Sequence, residues 1–167
     1  MSVFRHTAFL VGLAVFVADQ ISKWIIVHAM DLKTVGAIDV LPPILNFRMG
    51  WNRGINFGLF ANDSETMRWV LIAVALAISA WVVWWMLKEK HSLWAQISAG
   101  LLVGGALGNV IDRVIYGAVA DFLNMSCCGF SNPFTFNVAD IAIFAGAIGL
   151  IAFTGEKTPR DGAGKAE

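Results

Sequence analysis

The chain has 167 residues, of which 57% are hydrophobic and only 14% charged, and its twelve basic residues balance twelve acidic ones. Soluble domains carry nearer a quarter charged residues, so this composition excludes an ordinary water-soluble globule and points to a single membrane domain. Zero net charge leaves no electrostatic footprint for nucleic acid or another polyanion.

The first predicted element runs from about Thr7 to Ala29. Arg5 ahead of the apolar stretch Thr7 to Ala18 has the layout of a cleaved signal peptide. The helix-compatible pattern continues through Ile25, Ile26 and Val27, which favours an uncleaved first span. Asp19 and Lys23 interrupt it at i, i+4 spacing, on one helix face, where they can pair. The pair either neutralises itself to permit insertion or sits inside a bundle and positions the span or a substrate.

The connection from Met30 to Met67 follows, with Pro42-Pro43 and several glycines. Within it Leu45, Phe47, Met49 and Trp51 alternate with Asn46, Arg48, Gly50 and Asn52. A period of two predicts a strand, its apolar side chains toward the membrane surface or the body of the protein. Residues 31–66 are therefore read as a β-rich segment.

Two charge-free runs come next, 19 residues from Trp69 to Leu87 and 20 from Ser92 to Ile111, joined by a tight turn at Lys88 to His91. At about 1.5 Å per residue each covers roughly the 30 Å hydrocarbon core. They predict spans over about 69–87 and 92–115. The third span carries Gly100, Gly104 and Gly108 every four residues, a smooth face for close helix packing. Asn109, Asp112 and Arg113 cluster near its end, as a network tying spans together or as neighbours of a site.

Residues from Gly117 to Asn137 read as an irregular, partly aromatic connection containing Asp121 and the adjacent Cys127-Cys128, read as free thiols or small apolar residues. A fourth span is predicted over about 138–154, with Asn137 and Asp140 at its start. Residues 1–155 thus form one membrane domain, and 156–167 a polar tail. In lipid the backbone must satisfy itself, so the spans should be helices. The expected fold is an all-α membrane protein, a four-helix bundle with a small β-rich cradle. Four spans place both termini on one side. Arg5, Lys88, Lys90, Lys157, Arg160 and Lys165 lie on that side, against Lys33, Arg48, Arg53 and Arg68 on the other. The positive-inside rule puts the termini in the cytoplasm and the β-rich segment outside.

Ionisable groups within spans cost about 2.5–3.5 kcal/mol each on insertion scales, so they are the informative residues. Asn137 and Asp140 could be no more than a helix cap with an acid in the first turn, and Asp121 an ordinary loop acid. Their convergence favours chemistry, since both aspartates fall at one membrane face, at the ends of consecutive spans. Two nearby carboxylates share a proton; one can act as general base on water while the other polarises a carbonyl. Rival chemistries lack their residues. His6, His28 and His91 form no zinc-binding pair, and no G-x-S-x-G segment exists. A proton- or cation-relaying transporter would show internal repeats, and none is visible. A scaffold packing through the glycine face has no need of both aspartates.

Several segments together resemble the lipoprotein signal peptidase (signal peptidase II) family of bacteria. They are Asp19-Gln20-Ile21-Ser22-Lys23, Asn52-Arg53-Gly54 with Phe57, Gly104-Gly105-Ala106-Leu107-Gly108-Asn109 with Asp112-Arg113, Ala120-Asp121-Phe122, and Phe136-Asn137-Val138-Ala139-Asp140. The resemblance implies an aspartic endopeptidase of the bacterial cytoplasmic (inner) membrane. Such an enzyme removes the signal peptide of a diacylglyceryl-modified prolipoprotein on the N-terminal side of the lipidated cysteine. It implies Asp121 and Asp140 as the catalytic pair and Asn52, Gly54, Asn109, Asp112, Arg113 and Asn137 as binding or supporting residues. Asp19 and Lys23 are then a structural pair. No metal or cofactor is implied, and the partners are the prolipoprotein and membrane lipid. A lipid-bearing substrate should enter sideways from the bilayer, through an apolar cleft roofed by residues 51–60.

Overall fold

The computed structural model describes residues 3–54, 65–88, 90–127, 129 and 132–154. Phe57, most of the expected roof, Cys128 and the polar tail lie outside them. Helix α1 spans Val3–Lys23 and continues as a π-helical stretch, Trp24–Ala29, ending where the Met30 N–H meets the Ile25 carbonyl at 2.8 Å. A single turn, α2 (Leu32–Val35), leads into strands β1 (Ala37–Leu41) and β2 (Leu45–Asn52). Helix α3 is Glu65–Lys88 and α4 is Leu93–Tyr116. Strand β3 (Val119–Asn124) and helix α5 (Val138–Phe153) complete the described elements.

Helix ends fall where the local chemistry puts them. The Ser92 hydroxyl accepts the Ala95 N–H at 3.2 Å and opens α4. Gly117, at φ 75°, closes it in the left-handed conformation a side chain would resist. Three stretches are long and apolar enough to cross a bilayer, His6–Ala29, Glu65–Lys88 and Leu93–Tyr116, each of 24 residues. The fourth expected span is the shorter apolar helix α5, with 16 residues, or roughly 24 Å of rise.

The glycine face behaves as its spacing predicts. α4 packs extensively against both α1 and α5 and less against α3. A Cβ on Gly104 would meet the Gly12 carbonyl oxygen and lie 2.8 Å from Gly12 Cα, so the α1 and α4 backbones touch. On the neighbouring face, a Cβ on Gly105 would lie 2.5 Å from the Ala139 carbonyl oxygen of α5.

The β structure differs from expectation in one respect. The sheet has three antiparallel strands in the order β1-β2-β3, and β3 comes from the connection read as irregular. Every residue of β3 is buried except Leu123, which is half-buried. A strand covered on both faces has no polar–apolar alternation to betray it. The fold is therefore helical with a small sheet. A bulge sets two residues of β2, Arg48 and Met49, against one of β3, Phe122, after which Gly50 lies opposite Asp121 and Asn52 opposite Val119. Phe47 and Met49 pack, as expected, on the cluster of Val27, Leu32, Ala120 and Phe122. Trp51 is exposed and tilts against Tyr116, with centroids 5.6 Å apart. Asn46, expected on the polar face, is buried, because it lies opposite the buried Asn124.

Candidate active site

Two elements bring the aspartates together. β3 carries Asp121 into the interior, where 2% of its surface remains exposed, and the first turn of α5 carries Asp140, at 6%. Asn137 caps α5: its Oδ1 accepts the Asp140 N–H at 2.8 Å, and Asp140 Oδ2 accepts the Asn137 N–H at 3.3 Å. This is the reciprocal arrangement that satisfies otherwise orphaned donors at a helix start. The Asn137 side chain then reaches outward, its Nδ2 donating to Asp121 Oδ1 at 2.7 Å. One residue is thus bonded to both acids. The cap expected as an alternative to a site is part of it.

Two more amides complete the setting. Asn109 Nδ2 donates to Asp140 Oδ1 at 2.9 Å, and Asn52 Nδ2 donates to Asp121 Oδ2 at 3.1 Å. Each oxygen of each carboxylate therefore accepts a hydrogen bond. The Gly54 N–H donates to Asn52 Oδ1 at 3.0 Å, which turns the Asn52 amino group toward Asp121. The Gly54 carbonyl accepts from Arg113 Nη2 at 2.8 Å. Arg113 is buried among Asp140, Asp121 and Asp112, and it bonds carbonyls, with the Asn109 oxygen at 3.4 Å. Its Nε has no hydrogen-bond partner among the described residues.

The residues read as one helix-end cluster divide into two sets. Asn109 and Arg113 serve the aspartates, while Asp112 turns to α1. There Lys23 Nζ lies 2.7 Å from Asp112 Oδ2 and 2.7 Å from Asp19 Oδ2, all three side chains buried. The expected Asp19–Lys23 pair is a triad.

The sequence names Gln20 within the Asp19–Lys23 segment but gives it no role; its Nε2 donates to Asp19 Oδ2 at 3.1 Å and Asp112 Oδ1 at 3.2 Å. Gly50, read only as a position on the strand's other face, also matters: a Cβ there would collide with the Thr135 hydroxyl and would lie 3.6 Å from the Asp121 carbonyl oxygen. A glycine interrupting a strand pattern is a signal of such close approach.

Burial, and next the charge of Asp140, push the Asp121 carboxyl up to about 7, against the opposing pull of Asn52, Lys23 and Asn137. An acid that keeps its proton near neutrality beside a second carboxylate can donate to a carbonyl while its partner accepts from water. Among the described residues, no group of three or more His, Cys, Asp or Glu side chains is placed to hold a metal ion.

The family model of signal peptidase II matches residues 11–154. A lipoprotein signal peptidase of Methylorubrum extorquens is 42% identical over 158 residues, covering 92% of this chain and 91% of its own. One from Polynucleobacter necessarius is 35% identical, covering 90% of this chain and 89% of its own. A solved bacterial membrane enzyme, determined in meso at 1.9 Å, superposes with a TM-score of 0.75 at 30% identity, over 92% of this chain and 95% of the other.

Proposed function

The chain belongs to the signal peptidase II family, membrane peptidases of lipoprotein signal peptides, and on that premise we propose that Asp121 and Asp140 are its catalytic pair. The observation that carries the reading is Asn137, which bonds both carboxyls at 2.7 Å and, through the Asp140 N–H, 2.8 Å. Asp121, held protonated by burial, donates to the scissile carbonyl oxygen. Asp140 takes a proton from water as the water oxygen attacks the carbonyl carbon. The tetrahedral intermediate collapses with transfer of a proton to the departing amine. Asn52, Asn109 and Asn137 hold the two carboxyls in place. Arg113 and Gly54 fix the strand end that carries Asn52.

The substrate is a prolipoprotein cut on the N-terminal side of its diacylglyceryl cysteine. Its acyl chains cannot cross water, at about 0.8 kcal/mol per exposed CH₂, so it enters sideways from lipid. The chain crosses the cytoplasmic membrane four times, with both termini inside and the aspartates at the outer face. The excess of Lys and Arg in the turn and tails supports that orientation.

The test uses purified full-length protein and two substrates identical in peptide, one bearing the diacylglyceryl group and one not. Wild type should cleave the lipidated substrate preferentially, and Asp121→Asn and Asp140→Asn should each lose cleavage while remaining folded. A tenth or more of the wild-type rate in Asp121→Asn would reduce it to a structural acid. Equal cleavage of both substrates would leave a general intramembrane aspartyl protease.

A further inference from the structure

Of the buried charges, Lys23 is the one whose surroundings go beyond what insertion requires. An i, i+4 pair with Asp19 would already neutralise it. The second carboxylate, Asp112 at 2.7 Å, leaves two buried acids sharing one ammonium. Surplus buried charge is costly and calls for a structural return.

Asp19 and Asp112 each spend an oxygen on a peptide N–H from another element. Asp19 Oδ1 accepts the Ala139 N–H at 3.0 Å, and Ala139 immediately precedes Asp140. Asp112 Oδ2 accepts the Ala120 N–H at 3.0 Å, and Ala120 immediately precedes Asp121. Lys23 Nζ stands between the two carboxylates and also donates to Asn109 Oδ1 at 3.4 Å, the residue whose amino group holds Asp140. Gln20 spans the same two acids from the side. Gly108 makes the approach feasible: a Cβ there would lie 2.6 Å from Asp19 Oδ2.

We propose that Lys23 is a positioning residue of the reaction, the centre of a buried strut, Asp19–Lys23–Asp112, whose ends hold the backbone directly before each reacting aspartate and so set the spacing between them. The proposal rests on the assignment of Asp121 and Asp140 as the catalytic pair. Asp121 lies within β3 and Asp140 in the first turn of α5. The Leu123–Phe136 backbone pair and the Asn137 side chain already join these two elements, and the strut adds a tie at the peptide directly before each acid. The strut spans them through α1, and it works at the peptide groups, leaving the carboxyls themselves free to react.

Among the described residues, the charged and polar groups facing Asp121 are Asp140 from α5, Asn137 from its cap, Lys23 from α1, Arg113 from α4 and Asn52 from β2. Removing Lys23 therefore strips a cation from the vicinity of Asp121 and moves the pH at which the pair loses its proton upward, a response a role in folding alone would not give.

Steady-state cleavage of the lipidated substrate is measured across pH for wild type, Lys23→Met, Gly108→Ala and Asp121→Asn, each normalised to its folded fraction. Lys23→Met should lose about 10²-fold in kcat, the order expected for an ångström of misplacement, with KM within about threefold and the alkaline limb shifted upward. Gly108→Ala keeps every charge and improves helix propensity, yet its methyl displaces Asp19, so kcat should fall by roughly tenfold at unchanged KM. If Lys23→Met does not fold, Gly108→Ala decides alone. Wild-type kcat in Gly108→Ala, or in folded Lys23→Met with an unmoved pH limb, overturns the strut while an inactive Asp121→Asn leaves the catalytic pair standing. An active Asp121→Asn overturns both.

Discussion

Helices α3 and α4 are the same length, 24 residues, and are consecutive in the chain, yet they live in different solvents. α3 is the more apolar, and only 17% of its spanning stretch is buried inside the protein, against 61% for α4. Its buried residues are Ile72, Ser79 and Val82, while Trp81, Trp84 and Val74 face outward. α4 buries Gly100, Gly104, Gly105, Gly108, Asn109, Asp112 and Arg113. Lipid is as apolar as any core, so apolar side chains gain nothing by turning inward. Small residues that let backbones meet, and polar residues that must escape lipid, mark the interior. α3 is an anchor, and α4 is the hub on which the site is built.

The comparison is broken most severely where the cap of α5 meets the C-terminal end of α4. Asn137→Ala removes the 2.7 Å donor to Asp121 and the acceptor for the Asp140 N–H. The expected loss in kcat is about 10²–10³-fold, comparable to removal of one preorganised donor at a reacting group, with a stability cost of about 1 kcal/mol for the lost cap. A kcat within threefold of wild type would show that the shared amide does not hold the pair. Next in size is Gly104→Val, which drives a side chain into the Gly12 backbone. Overpacking of this kind costs about 1–3 kcal/mol, to be read as a lowered unfolding midpoint in detergent. An undiminished midpoint would mean that α1 and α4 do not depend on the glycine contact.

A smaller effect separates the acids' chemistry from their packing. Asp121 titrates at about 7 in the folded protein, above the ordinary 3.8, so the folded state binds the proton more tightly than the unfolded chain. Its contribution to stability is fully present below about pH 4 and is lost as pH rises through about 7. Activity should have an alkaline limb in the same range, where the pair loses its single proton. The Asn52 hydrogen bond lowers the Asp121 pKa. Asn52→Ala should therefore move the limb to higher pH while thermal stability changes little. A limb that moved to lower pH would contradict the assignment of Asp121 as the protonated member.

Much of this was legible because the signals were local. Charge-free runs of membrane length gave 69–87 and 92–115 for what are Glu65–Lys88 and Leu93–Tyr116. The four-residue glycine spacing marked a face for close helix packing, though not that α1 is what it meets, and the i, i+4 spacing gave Asp19–Lys23. What was hidden depends on partners distant in sequence. β3 is buried on both faces and lacks alternation. Asp112 sits in the same helix turn as Asn109 and Arg113, and nothing in that spacing says it turns to Lys23 instead of the aspartates. Gln20 reads as an ordinary polar residue until Asp112, 92 positions away, is placed beside it.

The smallest expected effect lies on α3 and tests the comparison from its other side. Trp81 is 62% exposed in mid-helix, and on the reading of α3 as a lipid anchor its ring meets acyl chains. Trp81→Leu exchanges one apolar surface for another in contact with lipid, and it leaves the buried residues of α3, Ile72, Ser79 and Val82, untouched. Leucine is also at least as good a helix former. Folded stability in detergent or bilayer should stay within about 0.5 kcal/mol of wild type, the range of surface substitutions away from special features, with kcat unchanged. Measuring kcat in bilayers is the sharper arm, because a substrate arriving through lipid must pass the bundle's lipid-facing surface. A severalfold rise in KM at constant stability would mean that this face of α3 touches the arriving substrate, and that the helix is a wall of its path as well as an anchor.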